Sequence, residues 1–136
     1  MTGEGTRIVA ATDIRPKKNS TANTILKNTV VILDATQDLI KLPTNNTDPV
    51  YGVTMEDIKV GVTGNVQIRG RAVCRADGIL AVPGILLMTD NAGRVTTWAA
   101  AGGTNADVVG HLEDTSAAID DTVMVELAGP GIFKQG

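Results

Sequence analysis

Aromatic rings are nearly missing: Tyr51, Trp98 and Phe133 are the only three in 136 residues. Stacking surfaces for bases or sugars are therefore poorly supplied, which argues against a single-strand nucleic-acid reader or a carbohydrate-binding module. Cys74 is the lone cysteine and His111 the lone histidine. An internal disulfide is excluded, as is a zinc site built on cysteines. Excess positive charge is lacking too: the net charge is -3, and Arg15-Pro16-Lys17-Lys18 is the only basic cluster. No DNA- or RNA-binding stripe is expected from that balance. Long apolar runs are absent, since ILAVPGILLM is too short and too broken to span a bilayer. The start, MTGEGTRIVAATDIRPKK, has no apolar stretch of signal-peptide length, so the expectation is a soluble chain made without export.

Branched aliphatics fill the gap left by the rings. The hydrophobic fraction of 43% suits one globular domain whose core is mostly Val, Ile and Leu. The period throughout is that of strands. TVVILD, DLIKL, VYGVTM, RVTTW, VVGHLED and TVMVELAG are short apolar or alternating runs, separated by turn formers. In VQIRGRAVCR, residues Val66, Ile68, Gly70, Ala72 and Cys74 share one face; Gln67, Arg69, Arg71 and Arg75 share the other. The arginine face reads as an exposed surface, a protein contact or an anion site. Pro83-Gly84 splits ILAVPGILLM, and PTNNTDP is a loop. TSAAIDD leaves room for one short helix. The expected fold is all-β, a small sandwich or barrel-like domain over residues 29–136. Residues 1–28 are poor in apolar anchors and read as a floppy terminus or an extended N-terminal arm, anchored through Ile8, Val9 and Ile14.

The body is internally repeated. GVTMED from Gly52 matches GHLED from Gly110, and nine residues after each Asp comes an alternating run, from Val66 and from Val123. Two β units are expected, over about 29–78 and 79–129, each closing the other's core. The glycine of each corner allows close backbone approach or a kink. The paired acids read as solvated corners that accept backbone N–H groups; a calcium site or a catalytic pair is the alternative.

Searching for chemistry yields little. No P-loop, G-x-G-x-x-G, H-E-x-x-H or G-x-S-x-G string occurs. Cys74 falls on the apolar face, as a core residue would. No catalytic residue, metal ligand or cofactor is assigned.

From about Thr29 to Gly129 the order of features resembles the small capsid decoration, or cement, proteins of tailed bacteriophages. The resemblance lies in VYGVTMEDIKVG, then VQIRGRAVCRADG, then VPGILLMTDNAGRV, and last VVGHLEDTSAAIDDTVMVELAG. It implies a virion protein on the outer capsid surface, made in the host cytoplasm. Such proteins bind the major capsid protein, often as homotrimers, and clamp neighbouring coat subunits. On that reading the arm residues Ile8, Val9, Ile14, Arg15, Lys17 and Lys18 carry the partner contact. Two rivals stand beside it: a head–tail or tail accessory protein, and a trimeric β-fold enzyme, whose mark would be a carboxylate pair and Arg69 or Arg71 converging on one pocket.

Overall fold

A computed structural model describes residues 13–44, 48–99, 105–130 and 133–135. Eleven strands and no helix make up the described chain. The first five are β1 (Asp13–Asn19), β2 (Val30–Leu33), β3 (Leu39–Lys41), β4 (Gly52–Thr54) and β5 (Thr63–Arg75). They pair in the order β1-β3-β2-β4-β5, and β5 returns to β1, so they close a five-stranded barrel. All contacts in this ring are antiparallel except β1 with β3.

The second half repeats the plan. Here β6 (Leu86–Thr89), β7 (Val95–Thr97), β9 (Gly110–Leu112) and β10 (Thr122–Leu127) join the C-terminal half of β5 in the order β5-β10-β9-β6-β7. A single parallel bridge, Ala76 to Val95, brings the last strand back to the extension of β5. Each pairing of the first ring has a counterpart here. The parallel pair Asn19–Ile40 matches Ala76–Val95, and the antiparallel bridge Ile25–Ile58 matches Leu80–Ser116. Backbone conformation is repeated too, with positive φ at Asn28 and Gly84, and at Gly61 and Asp120. The units are thus residues 13–69 and 70–127, joined within one strand. The unit boundary expected near residue 78 moves to Gly70, because β5 serves both rings.

Burial on β5 follows the alternation in its sequence. Val66 and Ile68 join Ile25, Val31, Ile40 and Ile58 in the first core. Ala72 and Cys74 join Leu87, Val95, Val109, Leu112, Val123 and Val125 in the second. Burying one such aliphatic side chain is worth about 1.5–3 kcal/mol. At the changeover Gly70 has φ 86°, a region that side-chain-bearing residues avoid. Gln67 holds this kink. Its Nε2 donates to the carbonyls of Arg69 at 2.9 Å and Arg71 at 2.8 Å. Replacing Gln67 with Ala leaves both carbonyls without this donor, and a loss of about 1–3 kcal/mol is expected in urea unfolding. An unchanged midpoint would mean that solvent serves those carbonyls equally well.

The arm boundary at residue 28 is corrected. From Asp13 to Lys18 the chain pairs with β5, and Lys18 and Asn19 pair with β3, so β1 is a stave of the barrel. Its pattern hid it: Arg15 and Lys17 stand opposite Val66 and Gly64, in the register where the second unit has Ala72 and Cys74. The short helix near TSAAIDD is corrected as well. Asp121 Oδ2 accepts the N–H groups of Ala117 and Ala118, which fixes a turn instead. Two strands went unread, β8 (Asn105–Asp107) and β11 (Phe133–Gln135), which pair with each other.

Candidate functional site

The repeated acidic corners are the natural place to look for chemistry. In the first, Met55 N–H donates to Asn65 O at 3.0 Å and Glu56 Oε2 accepts the N–H of Asn65 at 2.9 Å. In the second, Glu113 N–H donates to Met124 O at 2.9 Å and Asp114 Oδ1 accepts the N–H of Met124 at 2.9 Å. Glu56 is therefore the counterpart of Asp114, and Met55 of Glu113. The letters Glu-Asp recur, but the geometry is offset by one residue, and Val66 corresponds to Val125 rather than Val123. The remaining two acids go separate ways. Asp57 Oδ1 accepts the N–H of Lys27 at 2.7 Å, and Glu113 pairs with Arg71 at 2.6 Å. Each corner carboxylate thus ties down a backbone segment or an arginine, as a structural corner requires. Among the described residues no group of three or more His, Cys, Asp or Glu is placed to hold a metal.

The arginine face is likewise engaged within the chain. Arg69 reaches Asp13 at 3.4 Å, Arg71 reaches Glu113, and Arg75 reaches Asp120 at 3.1 Å. Arg75 is the most constrained. Its Nη2 donates to Thr29 Oγ1 at 3.0 Å and its backbone N–H to Asn28 O at 3.1 Å, so it joins the two barrels. Arg94 Nε lies 2.6 Å from the same Asp120 carboxylate, and this hydrogen bond holds that carboxyl below the usual range. Nearby, burial first and then Asp90 push the Asp77 carboxyl up. Exposed pairs of this kind add little stability singly; their use here is to fix the seam between the units.

Nucleophiles are no better placed. Cys74 is fully buried, and burial pushes its thiol up to about 12. The neutral thiol packs as a small apolar residue. His111 is exposed on β9, opposite Glu126 of β10. Among the described residues, two clefts stand out on the surface. One, of about 340 Å³, is lined by Leu33, Pro49, Val50, Tyr51 and Pro130. The other, of about 260 Å³, lies over the β5 kink between Met55, Gln67 and Val73. Among the described residues lining these clefts there is no acidic residue, Arg69 or Arg71.

The expected contact residues separate into two groups. Ile8 and Val9 lie outside the described residues. Ile14, Arg15, Lys17 and Lys18 lie on β1. Ile14 is exposed, and Arg15 makes a two-bond pair with Asp13 at 3.0 Å on each branch. Lys17 donates to Gln37 O and sits 5.1 Å above the Tyr51 ring. Lys18 is exposed, while its backbone N–H donates to Asp38 O at 2.9 Å. β5 pairs with β1 from Asp13 to Lys18, whereas β3 pairs only with Lys18 and Asn19, so among the described residues the edge of residues 13–17 away from β5 carries no strand.

No protein-family model matches the chain, and no curated protein does. A solved structure does: the N base of the head fiber gp8.5 of bacteriophage phi29 matches with a TM-score of 0.64 over 89% of this chain and 98% of that one. The two share 15% sequence identity, so the likeness is one of fold, and it runs through nearly the whole of both chains.

Proposed function

We propose that this chain is a structural protein of a phage virion, seated on the outer surface of the capsid and bound to the major capsid protein. The observation that carries the reading is the fold likeness to a head-fiber base across 89% of the chain. The use of the conspicuous acids and arginines within the fold supports it. In this reading the protein is no enzyme and needs no cofactor; it acts by contact, as a homo-oligomer, with a trimer the expected state. Many modest contacts repeated over a shell add up to large stabilisation. Residues 1–12, with Ile8 and Val9, remain proposed as an added contact beyond the barrels.

Two forms of this function differ in number. A decoration protein bridging neighbouring coat subunits sits at many equivalent positions, whereas a fiber base or a head–tail component occupies few. Cosedimentation of tagged protein with purified phage particles separates them. The expected result is recovery in the pellet, in simple ratio to the coat protein. Recovery at a few copies per particle would favour the fiber-base form, and protein left wholly in the supernatant would sink the capsid reading.

A further inference from the structure

Part of β5 in the second unit is an open strand edge, and the hydrogen bonds of its neighbours show it. Met124 spends both of its backbone groups on the far side of β10: its N–H goes to Asp114 Oδ1, and its carbonyl accepts the N–H of Glu113. Val73, its partner on β5, therefore faces it across a wide pair without ladder bonds, and the N–H and C=O of Val73 point away from β10. Two neighbours agree with that direction. Arg75 N–H, two residues on, donates to Asn28 O at 3.1 Å, and Arg71 O, two residues back, accepts from Gln67 Nε2 at 2.8 Å. Between them, among the described residues, neither backbone group of Val73 finds a partner. No strand follows on this side, since β4 pairs with β5 only at Val66 and Gln67, before the bend at Gly70. The space left is the cleft of about 260 Å³ walled by Lys27, Val53, Met55 and Val73.

The first unit treats the equivalent position differently. Pro16 stands opposite Asn65 as Val73 stands opposite Met124, and the N–H of both Asn65 and Met124 is held by a corner acid. Proline has no N–H to offer, so that edge is blunted. The fold thus accepts proline at this place, and the open N–H is particular to the second unit. Val73 is exposed, as an edge residue awaiting a neighbour would be. An edge left open in this way is a template for another strand.

We infer that the edge at Val73 takes a strand from a second copy of this chain, the run Arg7-Ile8-Val9-Ala10 that precedes β1; the inference rests on the homo-oligomer reading above. Free N–H and C=O groups on a strand edge are matched by extended backbone. The edge is recessed between Lys27 and Met55, which suits one slender segment and works against two such edges pairing with each other. Among residues 1–12, 45–47, 100–104, 131–132 and 136, which the described strands leave over, only this run holds consecutive β-branched residues, Ile8 and Val9. Sides favour a second copy over the same chain. β1 lies on the edge of β5 that β10 continues, and the open edge is the other one. The same chain's segment would have to cross Arg69 and Arg71, whose pairs with Asp13 and Glu113 stand in the way. Donor and acceptor are different surfaces, so the contact is head-to-tail, the kind that closes into rings such as the expected trimer.

The test uses two full-length variants, each lacking one side of the contact. Val73→Pro gives the second unit the residue of the first and removes the acceptor N–H. The ladder to β10 does not use that N–H, so the melting temperature should hold. Val9→Pro spoils the donor run and leaves the sequence from Asp13 onward untouched. In sedimentation velocity the wild type should run as an oligomer, and each variant should need about tenfold or more protein to associate. An equimolar mixture of the two variants restores one intact donor and one intact acceptor, so a 1:1 pair should appear that cannot close a ring. Either variant associating like the wild type, or a mixture of folded variants that stays monomeric, overturns the assignment. If the Val73→Pro protein does not fold, Val9→Pro decides by the same criterion. A monomeric wild type overturns the homo-oligomer reading and this inference with it, whereas the capsid reading is judged separately by pelleting with particles.

Discussion

Removing residues 1–20 should unfold the first barrel, whereas a deletion ending at Thr12 should leave it intact. β1 fills the gap between β3 and β5 and pairs with both. Without it those strands lose their partners, and unpaired edges invite association with other chains. Asn19 goes with it, and Asn19 is a buried hub. Its Nδ2 donates to Asn23 O and Ile58 O, both at 2.8 Å, and its Oδ1 accepts from Thr21 N at 2.8 Å. Those bonds shape the connection that brings Ile25 into the core. Orphaning several buried groups at about 1–3 kcal/mol each, while opening one side of the core, rivals the whole 5–15 kcal/mol that holds a domain folded. The measurement is thermal unfolding of both deletions by circular dichroism. The longer deletion should aggregate or lose its cooperative transition; the shorter keeps every pairing of the described strands. A cooperative, native-like melt after removal of residues 1–20 would show that β1 is dispensable and would restore the separable arm.

That contrast shows where the sequence was legible. β5 could be read because its two faces differ in chemistry: Val66, Ile68, Ala72 and Cys74 are inside, and Arg69, Arg71 and Val73 outside. β1 could not, because Arg15 and Lys17 stand opposite Val66 and Gly64, where apolar residues would have marked a core face. Extending the repeat upstream would have found it, since Arg15 and Lys17 fall where Ala72 and Cys74 fall in the second unit. The duplication was visible through Gly52 and Gly110, yet its register was misread. Identical letters drew Asp57 onto Asp114, while hydrogen bonding makes Glu56 the equivalent acceptor. Ile58 and Ser116 share a place in the fold but no chemistry, so alignment by residue type fails there. The stretch around Ile119 left room for a short helix because nothing local announces that the Asp121 carboxylate will take two backbone N–H groups. Function was the least legible: no motif carries it, and the fold likeness that supports it survives at 15% identity.

Gly110→Ala should be the most damaging single methyl group that can be added to this protein's paired glycines. Gly110 lies on β9 between β6 and β10, with Leu87 and Leu127 as its partners. A Cβ there would stand 2.0 Å from Glu126 O and 2.9 Å from Glu126 C. The obstacle is backbone, so no rotamer change relieves it. β10 would have to move away from β9, and β10 is also laddered to β5 along its whole length. Overpacking of this kind costs about 1–3 kcal/mol in ordinary cores and more where the backbone must shift, so a loss above about 3 kcal/mol is expected. Gly52, its counterpart, would meet Gln67 O at 2.5 Å and Val66 Cγ1 at 2.8 Å, a milder clash with a partly movable neighbour. Gly84 provides the control. Its φ is 88° but nothing lies within 4 Å of the added carbon, so Ala there suffers only the backbone penalty, about 1–2 kcal/mol. Urea unfolding of the three variants should rank them Gly110, then Gly52, then Gly84. If Gly84→Ala proves the worst, conformational freedom rather than strand-to-strand contact explains the glycines. With the expected ranking, the glycine that opens each corner is there because β4 and β9 must approach the backbone of the next strand more closely than any side chain allows.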